Sequence, residues 1–433
     1  MNKRLIVCCD GTWNDLEMRY ITNVGRLVQC MLPTGQRSDG TEIQQFIYYD
    51  DGVGADSKGL HRFLEGGFGR GMDNLIYEAY RFICINYEKD DELLLYGFSR
   101  GAYTVRSLAG MINKIGLVQR DNLKYVPQAL EAYRDNKSFI INDSGNRVVT
   151  LNVKIDLLGC WDTVGAMGIP DKLPWLPIDK LTRKKYKFHS TEIGSNIKRA
   201  LHAVAIDERR KEFQATLMQK ASNAPASQKL IQTWFPGDHG CVGGGSWEKR
   251  GLSNHCLKWM IDQTVKLGIK LGTDLNRLHD QAISDESIFF PREKKWIYSS
   301  YDRPMPPHSV SWEDIDVTAR NRWAEHSNYR PSKLKSRFAE QLNNHTSTGG
   351  RIPPTTHTEL DDGESACCRV HSEKKDNRSK IIVKKGSAYE IEIPRVQVWK
   401  DGDLDPCDVR GWNCIKSGAK AKHPYEDGKP ADL

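Results

Sequence analysis

The sequence has no Cys-x-x-C pair and no regular cysteine spacing, although 11 of its 433 residues are cysteines. Four of them form the adjacent pairs Cys8-Cys9 and Cys367-Cys368. Zinc sites and disulfide frameworks both need cysteines at defined intervals. The pattern therefore argues against a cysteine zinc site and a disulfide scaffold, and it predicts the reduced thiols of an intracellular protein.

Long apolar runs and an excess of charge of one sign are also lacking. The apolar run after Met1-Asn2-Lys3-Arg4 is too short for a signal peptide, and no segment reaches membrane-spanning length. The 63 basic and 56 acidic residues nearly balance, so no nucleic-acid partner is expected. We expect a chain made in the cytoplasm that reaches a membrane by peripheral docking or is exported without a cleavable signal.

What the sequence does contain is an alternation of short apolar runs and helical patterns over residues 1–272, which we assign to a catalytic domain. The alternation predicts a mostly parallel, doubly wound sheet. The apolar residues of segment 196–213 recur at helical spacing, so that segment is predicted to be a helix. The predicted strands are residues 4–9, 46–49, 93–96, 153–165 and 230–235.

The periodic signal fades beyond residue 272. Residues 273–340 are predicted to form an irregular extension containing three tryptophans, and residues 341–379 a linker or disordered loop. Residues 380–433 are predicted to form a small β-containing segment, with a hairpin around Lys385-Gly386-Ser387. The C-terminal third is therefore expected to be less regular than the first domain.

The most informative motif is Gly97-Phe98-Ser99-Arg100-Gly101, which follows a buried apolar run and precedes a helical pattern. Gly-x-Ser-x-Gly alone is common, but a strand-to-helix context is what a nucleophile elbow requires. At such a turn Ser99 adopts strained backbone, and only small residues at Gly97 and Gly101 let the strand and helix approach. Ser99 is therefore the predicted nucleophile.

Two residues suited to activate this serine follow later predicted strands. Asp162 ends one strand, and His239 lies in a glycine-rich stretch after another. Serine, aspartate, histidine is the chain order of α/β-hydrolases, which is the fold class we predict. His239 would take the Ser99 proton and return it to the leaving alcohol, while Asp162 orients the imidazole. His202, in the predicted helix, is the reserve base.

The same chemistry needs hydrogen-bond donors for a tetrahedral oxyanion. The backbone N–H of Arg100 is one candidate, and Gly11 or Thr12, in the turn after the first strand, supplies the other. An alternative is an ordinary turn in which Asp10 caps a helix. This chemistry requires no metal, and no cofactor is predicted.

A proline-rich apolar loop carries Leu173, Trp175 and Leu176 shortly before the basic run 183–187. Apolar anchors beside cations suit a lipid surface with anionic head groups. The loop is therefore a candidate lid that contacts a membrane. The alternative is a loop packed on its own domain.

Five motifs in order resemble the catalytic domain of the class-one type VI secretion lipase effectors. They are Cys9-Asp10-Gly11-Thr12-Trp13-Asn14, Tyr96-Gly97-Phe98-Ser99-Arg100-Gly101-Ala102, Trp161-Asp162-Thr163-Val164-Gly165, Ile206-Asp207-Glu208-Arg209-Arg210, and Trp234-Phe235-Pro236-Gly237 with His239 and Gly243-Gly244-Gly245. The resemblance covers roughly residues 3–270. It implies esterase or phospholipase A activity, with Ser99, Asp162 and His239 on the triad positions.

The resemblance also implies partners: a phospholipid substrate, an immunity protein and a secretion machinery. The chain departs from the family at one position, because Cys241 stands where the family usually has an aspartate after the histidine. Asp238 is the candidate to replace it in bracing the histidine.

These observations predict a serine lipase or phospholipase acting on lipid esters. Two alternatives stay open at this point. One is a carboxylesterase or acyltransferase acting on soluble esters, and the other is a catalytically silent binding module with the same fold.

Overall fold

The computed structural model divides into two compact units, Met1–Ile352 and Pro353–Leu433. The residues that the structure describes are 2–11, 16, 20–52, 68–139, 142–143, 146–165, 192–246, 249–274, 303–306, 310–327, 329–345 and seven short strands between 369 and 421.

The first unit contains a seven-stranded sheet. Its strands are β1 (Lys3–Cys9), β2 (Thr34–Gln36), β3 (Glu42–Asp50), β4 (Glu92–Phe98), β9 (Leu157–Trp161), β11 (Arg199–Ala205) and β13 (Lys229–Phe235). Their order across the sheet is β13-β11-β9-β4-β1-β3-β2. Every neighbouring pair is parallel except β2 with β3, so the prediction of a mostly parallel sheet is confirmed.

Short two-stranded ladders lie outside this sheet. They are β5 (Leu117–Val118) with β8 (Val149–Thr150), β6 (Asn142–Asp143) with β7 (Asn146–Arg147), and β10 (Glu192–Ile193) with β12 (Gln219–Lys220).

The helices of the first unit are α1 (Asn23–Cys30), α2 (Phe68–Asn86), α3 (Arg100–Ile115), α4 (Val126–Arg134), α5 (His239–Gly243), α6 (Arg250–Lys266), α7 (Val317–Glu325) and α8 (Ser332–Asn344). Two 3₁₀ turns span Arg120–Tyr125 and Lys211–Phe213. Within the described part of the chain, none of the helices has both the length and the apolar character needed to span a bilayer.

The interior strand β1 shows why the sheet is covered on both faces. Successive side chains of a strand point to opposite faces. Leu5 and Val7 pack in the apolar cluster that includes α2, α3 and α4, whereas Ile6 and Cys8 pack with α1 and α6. A parallel sheet buried on both faces needs such uninterrupted apolar strands.

The topology reverses direction at β1. This strand pairs with β3 on one side and with β4 on the other, so the connections run outward from it both ways. In open α/β sheets, ligands bind at the carboxyl ends of the strands where the order reverses. Ser99 follows β4 directly, and Asp162 follows the neighbouring strand β9.

The helix predicted for residues 196–213 is wrong. The segment forms β11, a strand in the interior of the sheet, followed by a turn and the short 3₁₀ turn. All of Arg199–Ala205 except Arg199 is buried. A strand that is apolar on both faces shows no alternation, so its pattern resembles that of a buried helix.

Residues 303–345, as far as they are described, form a third apolar cluster on the edge strand β13. The Trp234 N–H donates to the Asp314 oxygen at 2.7 Å, and the Asp316 N–H donates to the Trp234 oxygen at 2.9 Å. This pairing covers part of an otherwise open sheet edge. The segment predicted to be irregular therefore includes α7 and the start of α8, which packs with it.

The second unit contains short antiparallel strands. A three-stranded sheet consists of β14 (Arg369–Glu373), β15 (Lys380–Lys385) and β16 (Tyr389–Ile393). Two further pairs are β17 (Val398–Trp399) with β20 (Lys420–Ala421), and β18 (Cys407–Asp408) with β19 (Trp412–Asn413). The pairing of β15 with β16 is the hairpin that the sequence predicted.

Candidate active site

Ser99 lies at a sharp turn between β4 and α3. Its φ of 57° and ψ of −118° are unusual for a residue with a side chain, and such strain costs about 1–3 kcal/mol. A Cβ atom on Gly97 would lie 2.5 Å from the Gly101 oxygen, and one on Gly101 would lie 2.1 Å from the Cys9 oxygen. The two positions thus leave no room for a larger side chain, in agreement with the expectation that only small residues fit there.

The three predicted catalytic side chains lie in one hydrogen-bonded row. The distance from Ser99 Oγ to His239 Nε2 is 2.8 Å, and that from His239 Nδ1 to Asp162 Oδ2 is 2.6 Å. A carboxylate accepts only, so Nδ1 carries the proton and Nε2 accepts from the serine hydroxyl. The exposed fractions are 4% for Ser99, 6% for His239 and 0% for Asp162.

The imidazole of His239 is packed between two aromatic rings. The ring centroids of Phe98 and Phe213 lie 4.6 and 4.8 Å from its own. Burial lowers the pKa of His239, and the hydrogen bond and charge of Asp162 and the charge of Glu208 offset this in part. The ring is therefore neutral near pH 7, which is the form that can accept a proton.

Two carboxylates hold the turn that carries His239. Glu208 accepts the His239 N–H at 3.1 Å, and Asp207 accepts the Gly237 N–H at 2.7 Å. Glu208 also binds Arg210 through two side-chain hydrogen bonds of 2.8 and 2.7 Å. The turn after β11 thus fixes the turn after β13, a role that the sequence did not reveal.

The position where the chain departs from its resemblance is packed rather than polar. Cys241 is fully buried against Leu252, and burial raises the pKa of its thiol, which stays neutral. Asp238 caps α5 by accepting the Cys241 N–H at 3.0 Å and also binds Lys249 at 2.6 Å. The bracing expected of Asp238 is thus shared, because Glu208 binds the histidine backbone.

The carboxylate of Asp162 accepts four hydrogen bonds. Oδ1 receives the Ala205 N–H at 3.0 Å and Arg303 at 2.5 Å, and Oδ2 receives His239 and the other Arg303 nitrogen at 3.0 Å. Burial alone would raise the pKa of Asp162, but the Arg303 charge and these hydrogen bonds hold it below its usual range. Arg303 was not predicted, because nothing near it in the sequence marks it.

His202, the reserve base, belongs to β11 and not to a helix. Its Nε2 accepts the Thr163 N–H at 3.1 Å, and its Nδ1 lies 2.8 Å from the Gln232 amide oxygen. Burial lowers its pKa to about 3. The ring therefore links β11 to β13 and to the turn after β9, and its two nitrogens contact Gln232 and Thr163 rather than Ser99.

The oxyanion candidates are only partly placed. Arg100 is the first residue of α3 and follows Ser99 directly. The Gly11 N–H donates to Asp10 Oδ1 at 2.6 Å, and Asp10 also accepts the Thr22 hydroxyl, which itself caps α1. Asp10 is therefore not the cap of that helix. Thr12 and the lid candidates Leu173, Trp175 and Leu176 lie outside the described residues.

The chain matches one family model and several known proteins. The family is described as the type VI secretion phospholipase effector Tle1-like catalytic domain, and its model matches residues 3–263. The uncharacterized protein YEL023C of Saccharomyces cerevisiae is 27% identical over an alignment of 451 positions, and the alignment covers 73% of this chain and 64% of that protein. The chain therefore spans less than two thirds of the length of this curated relative.

Solved structures with some similarity include two proteins that are 19% and 18% identical to this chain. One is an uncharacterized protein from Pseudomonas aeruginosa, with a TM-score of 0.34 and coverage of 66% of this chain and 48% of that one. The other is the Tle1 effector bound to the VgrG spike of a type 6 secretion system, with a TM-score of 0.31 and coverage of 57% and 53%.

Proposed function

Because the chain belongs to the family of Tle1-like catalytic domains of type VI secretion phospholipase effectors, matched over residues 3–263, we propose that it hydrolyses carboxylic esters of phospholipids. The observation that carries the proposal is the row of Ser99, His239 and Asp162, with hydrogen bonds of 2.8 and 2.6 Å. Nucleophile, base and orienting carboxylate are the parts that a serine hydrolase needs.

In the first half of the reaction, Ser99 Oγ attacks the ester carbonyl while its proton passes to His239 Nε2. Asp162, bound to Nδ1, stabilises the imidazolium that forms. The tetrahedral intermediate then collapses, the C–O bond to the alcohol breaks, and His239 gives its proton to the leaving alkoxide. The acyl group remains on Ser99 as an ester.

In the second half, His239 takes a proton from water, and the hydroxide attacks the acyl-enzyme. Collapse of this second intermediate releases the fatty acid and returns the proton to Ser99. The negative oxygen of both intermediates needs two N–H donors, which we assign to Arg100 and to the turn after β1. The close packing of Gly101 supports this assignment, because a Cβ atom there would meet the Cys9 and Asp10 oxygens, so the turn after β1 lies against the elbow.

The test uses the Ser99→Ala variant and a fluorophosphonate probe, which reacts only with an activated serine. The unaltered protein should release fatty acid from phosphatidylcholine vesicles and take up one probe label. Ser99→Ala should lose both while its circular dichroism and melting temperature stay normal. Turnover that survives in Ser99→Ala would exclude the proposed nucleophile.

The substrate class is supported by family membership, and it needs its own test. Rates on a short-chain phospholipid below and above its micelle concentration separate a lipase from an esterase of soluble esters. A phospholipase should gain activity once micelles form, whereas equal rates per monomer would favour the carboxylesterase alternative. A protein that binds vesicles but never labels with the probe would be the silent binding module.

Family membership also underlies the proposed partners. An effector would meet a secretion apparatus and, in the cell that makes it, a neutralising immunity protein. Co-purification from cells expressing the neighbouring genes would show whether either partner binds this chain.

A further inference from the structure

The side chain of Arg303 touches both oxygens of the carboxylate that orients His239. Its two terminal nitrogens lie 2.5 and 3.0 Å from Asp162 Oδ1 and Oδ2, and one of them also donates to the Ala205 oxygen at 3.0 Å. The Arg303 residue is 3% exposed. Such a planar, bidentate contact fixes the plane of a carboxylate, which a single ammonium group does not do.

The position of this contact determines what it can do. Oδ2 of Asp162 is shared between His239 Nδ1 and Arg303, so rotation of the carboxylate would break the bond to the arginine and the bond to the histidine together. Because His239 Nδ1 and one Arg303 nitrogen both bind Oδ2, these two nitrogens lie less than about 6 Å apart. At that distance the arginine charge also disfavours a proton on the imidazole.

Other charged groups near His239 also influence its protonation. Glu208 faces its backbone N–H and favours the charged ring, while Arg210, which stacks on Phe213 with its guanidinium carbon 3.8 Å from the ring centroid, disfavours it. Ser99 lies at Nε2 and is neutral. Asp162 is thus the charged group in direct contact with the ring, and Arg303 offsets the negative charge of Asp162.

We propose that Arg303 is a positioning residue of the active site, which holds Asp162 against His239 Nδ1 and sets the pH range in which His239 acts as a base. The inference rests on the proposed function, because the base is needed only if Ser99 is a nucleophile. It extends the site beyond residues 3–263, over which the family model matches.

A purely structural role is the competing explanation, and the chain offers a matched control for it. Arg337 holds the same stretch of chain through the Met305, Pro306 and Val310 oxygens at 3.3, 3.0 and 2.6 Å. It makes no hydrogen bond to Asp162 in the described residues. Arg337→Gln should therefore loosen the stretch around Arg303 without changing the charge beside the triad.

The experiment measures the rate of fluorophosphonate labelling from pH 5 to 9 for the unaltered protein, Arg303→Gln, Arg303→Lys and Arg337→Gln. The acid limb of each profile reports the pKa of His239. Arg303→Gln should label at least about tenfold more slowly at its optimum, with the acid limb about one pH unit higher because a nearby cation is gone. Arg337→Gln should melt earlier and keep the original acid limb.

Arg303→Lys keeps the positive charge but not the bidentate contact with Asp162. It should keep the acid limb and label at least about threefold more slowly. An unmoved acid limb and rate in a folded Arg303→Gln would overturn the inference, and so would an equal shift in Arg337→Gln.

If Arg303→Gln does not fold, Arg303→Lys decides, since a labelling rate equal to that of the unaltered protein would also overturn the inference. If the unaltered protein does not label at all, the proposed function fails, and the role of Arg303 fails with it. If the unaltered protein labels normally and Arg303→Gln keeps its acid limb and rate, only the inference about Arg303 is overturned, and the proposed function stands.

Discussion

Replacing Gly101 by alanine should damage the active site more than the size of one methyl group suggests. The added Cβ would lie 2.1 Å from the Cys9 oxygen and 2.4 Å from the Asp10 oxygen. Both are backbone atoms, one at the end of β1 and the other in the turn after it, and they have no rotamer through which to move away. Normal contact would require a shift of about 1 Å between the elbow and that turn.

Two contributions to the free energy of unfolding oppose each other, and the destabilising one is the larger. Alanine is favoured over glycine within a helix by about 1 kcal/mol. Overpacking a rigid site costs about 1–3 kcal/mol, and the upper end applies here because the obstructing atoms are backbone, so Gly101→Ala should be destabilised by about 2 kcal/mol in total. A misplacement of about 1 Å at a nucleophile can reduce a rate about 100-fold.

The matched control is Gly110→Ala in the same helix. Its Cβ would meet the Tyr133 hydroxyl at 2.8 Å, the far end of a side chain. We expect Gly110→Ala to change the free energy of unfolding by less than about 1 kcal/mol and to label with the fluorophosphonate normally. The reasoning is refuted if Gly101→Ala labels at the rate of the unaltered protein, or if both variants lose the same stability.

Two further predictions concern residues around the triad. Glu208→Ala should slow probe labelling about 10-fold or more, because the His239 N–H and the Arg210 guanidinium lose their acceptor. Glu208→Gln should recover part of the rate. Equal rates in both variants would contradict the role of Glu208 in holding the turn that carries His239. Burial lowers the pKa of His202 to about 3, whereas an unfolded histidine titrates near 6.5, so the unfolded chain binds one more proton between these values. Stability should therefore fall by about 1.4 kcal/mol per pH unit as the pH drops through this window. Urea unfolding from pH 4.5 to 7 should show a shallower loss in His202→Gln, and identical slopes would refute this account.

The local part of the site was predictable from the sequence. The Ser99 elbow needs only a strand, two glycines and a helix within a few residues. The positions of Asp162 and His239 follow from topology, because parallel strands bring their carboxyl ends to one edge of the sheet. A correct strand assignment therefore places residues that are far apart in sequence close together in space.

The errors have physical reasons as well. The buried strand β11 carries apolar residues on both faces, so its periodicity could not be told from that of a helix. Asp207 and Glu208 were visible as part of a motif, but their backbone partners lie on another turn. Arg303 is one of 63 basic residues and acts across 141 positions, a contact that no local pattern encodes.

Because Arg303 lies so far beyond Asp162 in the sequence, it is also synthesised much later. A chain is made from its N-terminus, and domains begin to fold before synthesis ends. Ser99, Asp162 and His239 all leave the ribosome before Arg303 does. A nascent or prematurely terminated chain that stops after the histidine would carry Ser99, Asp162 and His239 without Arg303, so the full set of hydrogen bonds to Asp162 can form only late in translation.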